Sequence, residues 1–331
     1  MRIAFLVNDV ATEISEYTTT RLAIAAARAG HEVWYVGAGD LVYEPIEQLG
    51  GHARRATAPN GDSLATFLER CQSEEPERIT LEDLDVLMLR NDSVEDLHDR
   101  SWALDIGVVF GQMAARDGVL VVNDPERLSS ASSKLYLEEF PPDVRPRCIV
   151  TRNEDDVKEF ITKVGGAAVL KPLHGAKGRN VFFVKEEDDP NLSQMIEAVL
   201  EDGYVLAQEY LPEAEEGDTR LFLLDGQPLE QDGTYAAFRR VPPEDDLRSN
   251  VSTGGKPAAA EISDVELEVA RKMSKRLAED GMFFVGLDIV GDKVVEINPE
   301  SAGGFQSVEH FTGIDFAPAI IDALEQKIAN A

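Results

Sequence analysis

Apolar positions along this chain fall into two rhythms. Residues 2–8, Arg-Ile-Ala-Phe-Leu-Val-Asn, are largely apolar and read as the first strand. An Ala-rich segment, Thr19 to Gly30, predicts a helix, with Gly30 standing where a helix-terminating glycine belongs. His31-Glu-Val-Trp-Tyr-Val36 predicts the next strand, giving a β-α-β opening typical of a doubly wound sheet. Asp85–Arg90 and Val119–Val122 read as further strands, with a helix near 102–117 between them. Beyond residue 122 the order changes. A helix over 127–138 carries Lys134, and Ala167–Pro172 is a strand that ends in Lys171. The glycine loop His174–Gly178 leads into a partner strand, Asn180–Val184. A helix near 191–201, strands at Tyr204–Leu211 and Arg220–Gly226, a polar stretch 239–256 and a long helix 263–280 follow. Asp288 to Asn298 reads as a hairpin turning at Gly291-Asp292, and the last 18 or so residues predict an amphipathic helix. The division expected is 1–122, a small α/β domain, then 123–203 and 204–331, two α+β units.

Charge narrows the choice of partners. The chain carries 62 acidic against 32 basic residues, a net −30 scattered along its length. Phosphate backbones demand basic patches, so nucleic acid is not an expected partner. A uniformly acidic surface favours solubility and self-repulsion that salt screens, and halophilic adaptation is one expectation it raises. There is no run of 18 apolar residues, so no membrane span is expected. The start lacks a signal peptide's apolar stretch, and Cys71 and Cys148 make no disulfide framework, so a cytoplasmic location is the expectation.

Candidate chemistry clusters in the second half. Alternation puts Glu296 and Asn298 on one strand face, with Asp288 across the hairpin. Three hard-oxygen side chains so placed suit Mg²⁺, although acids that merely close a solvated turn would show the same pattern. Lys171 at a strand end and Lys134 upstream can neutralise an anionic phosphate chain from two sides. Between them, Gly175 and Gly178 permit close backbone approach, though an ordinary hairpin loop would look the same. His174 adjoins that loop; the other histidines, His98 among them, have no metal-ligand spacing. The extended stretch Gln208-Glu209-Tyr210-Leu211 can offer N–H and C=O groups to an adenine edge. Arg220, Arg240, Arg248 and Asn250 bring bidentate donors suited to carboxylate or phosphate. Neither a Gly-x-Gly-x-x-Gly nor a Gly-x-x-x-x-Gly-Lys-Ser/Thr loop is present.

Taken in order, several motifs resemble the bacterial glutathione synthetases of the ATP-grasp superfamily. They are Lys134, Lys171-Pro-Leu-His-Gly175, Gln208-Glu-Tyr-Leu-Pro212, Gly217-Asp-Thr-Arg220, Arg240-Val-Pro, Arg248-Ser-Asn250, Phe284-Val-Gly-Leu-Asp288 and Glu296-Ile-Asn298. The resemblance implies an N-terminal Rossmann-like pre-ATP-grasp domain and two subdomains gripping ATP. It implies Lys134 and Lys171 on the phosphates, Gln208–Leu211 as adenine hinge and Asp218 near the ribose. Asp288, Glu296 and Asn298 would face Mg²⁺ (or Mn²⁺), with Arg220, Arg240 and Asn250 around the reacting carboxylate. The implied reaction joins γ-glutamylcysteine to glycine through an acyl phosphate, and family likeness implies an oligomer. Two segments on the substrate side depart from the family pattern. Arg90-Asn91-Asp92-Ser93-Val94 stands where Arg-Lys-Asp-Pro-Pro is usual, and Pro299–Gln306 replaces Val-Thr-Ser-Pro-Thr. Arg90, Arg248, Ser301, Gly303 and Gly304 are therefore substrate-side candidates. A ligase with another acceptor or donor, or a nucleotide-binding protein without catalysis, stays open.

Overall fold

A computed structural model of the chain describes every residue except 45–47, 97–98, 176–178, 187, 244–253 and 331. The N-terminal sheet has Glu32–Glu44, Arg2–Val7, Val86–Leu89 and Leu120–Val122 side by side and parallel. Gln48–Ala56 and Glu77–Thr80 extend it antiparallel past Glu32–Glu44; neither strand stood out in the apolar pattern. Alternation divides the first strand between two cores. Ile3, Phe5 and Val7 pack towards the helix Thr18–Arg28. Ala4 and Leu6 pack with Leu87, Leu89 and Ala114, the last from the helix Ile106–Arg116. The expected Ala-rich helix ends as predicted, with Gly30 at φ +88° and its N–H bonded to Ala27 O.

The first of those cores is not confined to the N-terminal sheet. Ile320, Ile321 and Leu324 of the final helix, Ala317–Ala329, belong to it, as do Phe222, Phe284 and Phe305 from the C-terminal sheet and its neighbouring helix. Arg21 forms an ion pair with Glu309, adding a polar tie between the same units. The helix expected over the last 18 or so residues is Ala317–Ala329, and a further helix that the apolar pattern did not single out, Phe305–Thr312, precedes it. Gly313, left-handed at φ +71°, ends Phe305–Thr312.

The middle sheet runs Cys148–Thr151, Val205–Glu209, Ala168–Pro172, Phe182–Val184, all antiparallel. One face, with Ala168, Leu170, Val205 and Ala207, is covered by the helices Glu154–Lys163 and Leu192–Glu201 through Val157, Ile161, Ile196 and Val199. The opposite face presents Val169, Lys171, Leu206 and Gln208 to a cavity. The C-terminal sheet, in the order Lys256–Ala258, Ala237–Val241, Asp218–Leu224, Phe284–Val290, Lys293–Asn298, repeats this logic. Leu221, Leu223, Val285, Leu287 and Ile289 meet Met273 and Leu277 of the helix Asp264–Glu279, whose start is fixed by a Ser263–Glu266 capping box. Its other face is aromatic at one end, where Phe222 and Phe284 stack at 5.7 Å with Phe305 edge-on. At the other end it is charged.

The helix expected over 127–138 stops at Ala131. Lys134 instead opens a separate 3-10 turn, Lys134–Glu139, capped by Ser133. The Ser-rich run before it favours caps over helix interior, which is the physical reason for the break.

Candidate active site

The charged face of the C-terminal sheet and the open face of the middle sheet enclose a cavity of about 730 Å³, whose remaining wall is built by the segments that follow the strands Arg2–Val7 and Val86–Leu89 of the N-terminal sheet. Every described candidate from the sequence lines it except His174, which is exposed. Gly178, Arg248 and Asn250 lie outside the described residues.

Register builds the centre of the site. Arg220 lies directly across from Asp288, and Asp218 directly across from Arg240. Arg220 donates through Nε to Asp288 Oδ1 (2.7 Å) and through Nη2 to Oδ2 (2.8 Å). Arg240 Nη2 reaches Asp288 Oδ2 (2.7 Å) while its Nε donates to Asp218 Oδ1 (2.7 Å). Asn298 Nδ2 adds a bond to Asp288 Oδ2 at 3.2 Å. Burial alone would push the fully buried Asp288 carboxyl up, but the two guanidinium groups hold it well below the usual carboxylate range. Gly286 lies opposite Asn298 on the neighbouring strand, and Asn298 Nδ2 also reaches its carbonyl at 3.5 Å.

Asp288 thus spends its carboxylate on arginines. Glu296, opposite it in the hairpin, carries no ion pair among the described residues and faces Lys134 and Lys171 instead. Enclosure pushes Lys171 down to about 8, offset in part by Glu296, and lowers Lys134 in the same way. Lys171 Nζ rests on Val295 O (3.3 Å) and Lys134 Nζ on Gly175 O (2.6 Å). Two cations held on carbonyls, short of full carboxylate pairing, leave charge to meet an anion. The donor set fits a hard divalent ion: Glu296 and Asn298 supply oxygen beside both lysines, while Asp288 would have to share with its arginines.

The predicted hinge is partly spent on its own sheet. The Glu209 and Tyr210 N–H groups bond Arg147 O and Ala167 O, and the Glu209 carboxylate is held by Arg147 Nε and N–H at 2.7 Å each. Leu211 N–H has no partner among the described residues, so the donor of this stretch is Leu211. Val169, Leu206, Pro146 and Ile297 add apolar walls around the buried Gln208.

The N-terminal wall was less legible. Arg90 is buried, stacks over Phe284 at 5.7 Å and donates to Thr19 Oγ1 (3.2 Å) and Ala302 O (2.9 Å); burial pushes it down to about 10. The two segments that depart from the family pattern meet: Ser93 Oγ and N–H both bond the Glu300 carboxylate, at 2.9 and 3.2 Å. The Pro299–Gln306 segment is pinned further by Arg220 Nη1 on Gly303 O (3.2 Å). Gly304 sits at φ +121°, where a Cβ would fall 2.4 Å from the Phe238 ring. Sequence reasoning missed Asn8, Glu13, Thr18, Thr19, Glu95 and Glu300 on this wall. Only Glu300, inside a departing segment, carried any signal.

Residues 1–129 match the model "Prokaryotic glutathione synthetase, N-terminal domain", and residues 133–313 match "Prokaryotic glutathione synthetase, ATP-grasp domain". The chain is 36% identical over 258 residues to the glutathione synthetase of Agrobacterium fabrum, covering 76% of this chain and 75% of that one. Against the glutathione synthetase of Synechococcus elongatus it is 31% identical over 331 residues, covering 98% of each. Among solved structures, a D-cycloserine synthetase superposes with TM-score 0.65 at 14% identity over 97% of this chain and 99% of that one. A Microcystis aeruginosa macrocyclase bound to its precursor peptide does so with TM-score 0.65 at 14% identity, over 98% and 100%. These two likenesses concern the fold.

Proposed function

The chain belongs to the prokaryotic glutathione synthetase family, and on that premise we propose that it joins γ-glutamylcysteine to glycine, converting ATP to ADP and phosphate. It is an ATP-grasp ligase. What carries the ligase reading is the meeting in one cavity of the Arg220–Asp288–Arg240 cluster, Glu296 and the two lysines, and what supports these substrates is the family.

In the first step a carboxylate oxygen of the peptide's C-terminus attacks the γ-phosphorus, and the bond to the β,γ-bridging oxygen breaks to release ADP. Lys134 and Lys171 meet the phosphate oxygens, and a bound nucleotide returns Lys171 fully to its charged form. Arg220 and Arg240, already fixed by Asp288 and Asp218, offer their remaining N–H groups to the reacting carboxylate. In the second step the neutral glycine amine attacks the acyl carbon, inorganic phosphate leaves and the amine gives up its proton. Mg²⁺, for which Mn²⁺ is a substitute, would be held by Glu296 and Asn298 with Asp288 beside them, and supplies charge neutralisation on the transferring phosphoryl group. No side-chain nucleophile is needed, because positioning and electrostatics supply the catalysis. Leu211 N–H and the carbonyls around it receive adenine, and Asp218 lies toward the ribose.

A ligase acting on another donor is the second reading, favoured by the Ser93–Glu300 clasp on the substrate wall. ADP release measured across amino acids and short γ-glutamyl peptides separates the two. Turnover requiring both a γ-glutamyl thiol dipeptide and glycine supports glutathione synthesis; turnover with another pair only overturns it. A cytoplasmic location, a homo-oligomer and adaptation of the acidic surface to salt complete the proposal. Among the described residues no helix is long and apolar enough to cross a membrane.

A further inference from the structure

The cavity is polarised. Lys171, Arg220 and Arg240 stand on the two sheets that would grip the nucleotide and Lys134 on the turn Lys134–Glu139, whereas the N-terminal wall carries Glu13, Glu16, Asp92 and Glu95 around Arg90. One of these acids differs from ordinary surface charge. Glu13 follows the short turn Val10–Thr12, is 9% exposed, and lines the cavity beside Thr18 and Thr19. Its Oε2 is buried with no hydrogen-bond partner, and no ion pair to its carboxylate is found among the described residues. A carboxylate removed from water without a partner is costly, and a cation arriving in the cavity would relieve that cost.

We propose that Glu13 recognises the ammonium group of the acyl donor and so selects donors that carry a free amine. This rests on the ligase reading above and names a specificity determinant within it. The donor, not the acceptor, is the partner for a chemical reason. The acceptor's amine must reach the acyl phosphate as a neutral nucleophile, and a buried carboxylate would hold it as the unreactive ammonium. The donor's amine takes no part in the reaction and can remain charged throughout. Burial pushes the Glu13 carboxyl up to about 7, against the pull of nearby Arg90. A bound ammonium would supply the counter-charge that keeps it ionised.

The test compares γ-glutamylcysteine with glutarylcysteine, the same donor without its amine, at saturating ATP and glycine, in the wild type and E13Q. A site built around a charged hydrogen bond should give the wild type a preference in kcat/KM on the order of 100-fold for the amine-bearing donor. E13Q should lower kcat/KM for γ-glutamylcysteine by about tenfold or more, through KM, while glutarylcysteine changes by less than about twofold. Equal losses on both donors, or a loss confined to the KM of glycine, overturn the proposal and make Glu13 a packing residue or an acceptor contact. If E13Q does not fold, E13D keeps the charge but withdraws it by one methylene. A reduced preference in E13D then supports the proposal and an unchanged preference refutes it. If the wild type ignores γ-glutamylcysteine but turns over another amine-bearing donor, the substrate reading falls, and the same ratio on that donor and its des-amino form decides the role of Glu13.

Discussion

At the scale of residues, the hairpin acids separate into different duties. Asp288 is fully buried and shared by two arginines, whereas Glu296 faces the lysines without an ion pair among the described residues. Asp288→Asn removes the charge that compensates Arg220 and Arg240. Leaving such cations under-compensated costs about 3–5 kcal/mol, so the ligand-free protein should melt several degrees lower. If Asp288 acted only on a metal, the ligand-free melting temperature would not move. Glu296→Gln should do the reverse, lowering turnover on the order of 10³-fold while the ligand-free melting temperature stays within a degree or two. Retained activity would remove Glu296 from the metal's donors. Glu13 adds a pH signature. Its carboxyl titrates at about 7 in the folded chain against 4.5 as a free group, so between those values the folded state holds a proton that the unfolded state has lost. Stability from this group is present in full below about 4.5 and is lost as pH rises through about 7, by at most about 3 kcal/mol. E13Q has no such proton, so its denaturant-unfolding free energy should fall less than that of the wild type between pH 5 and pH 8. Identical slopes would contradict the shift.

Elements show what could be read from the sequence and what could not. Period-two alternation announced the hairpin, but not its register: the pairs Val290–Lys293 and Ile289–Val294 would carry on to Asp288–Val295, and a bulge beside Asp288 brings Glu296 opposite it instead. The lysine-ended strand Ala168–Pro172 was legible for the same reason: one face is apolar for its helices and the other is free to be functional. The antiparallel edge strands Gln48–Ala56 and Glu77–Thr80 were not, because Gln-Leu-Gly-Gly-His-Ala-Arg-Arg-Ala has too little apolar alternation to stand out from a loop. The substrate wall was hidden for a different reason. Glu13 and Arg90 are far apart in sequence and meet only in the folded N-terminal part, where Glu300 joins them from the far end of the chain, so no local pattern could reveal them. The Gly303-Gly304 pair was visible as a departure, and its cause is now physical: positive φ at Gly304 and the Phe238 ring against its α-carbon. Gly304→Ala should cost about 1–3 kcal/mol through backbone strain and overpacking. Because Arg90 and Arg220 hold the carbonyls next to it, the variant should raise the donor's KM and leave that of ATP nearly unchanged. An equal rise for both would place the segment on the nucleotide side.

The whole molecule is governed by its charge. Its cavity gathers cations on the nucleotide side, yet the chain as a whole carries −30, so most of its acids are spread over the surface. Many described ion pairs are exposed at one or both partners, as in Lys163–Glu159, Arg55–Glu32 and Lys275–Glu279, and such pairs add little stability. Self-repulsion among the remaining acids therefore opposes compactness at low ionic strength, where the screening length is about 10 Å at 0.1 M, and shrinks to about 3 Å at 1 M. The buried Asp288–Arg220–Arg240 cluster is shielded from salt by burial, so screening should relieve the repulsion without loosening the site. Raising potassium chloride from 0.1 M to 1 M should then raise the melting temperature, with the KM for ATP weakening only through screening of Lys134 and Lys171. A melting temperature that falls steadily with salt would mean that the surface pairs, not the repulsion, dominate, and the adaptation of this surface to salt would have to be abandoned.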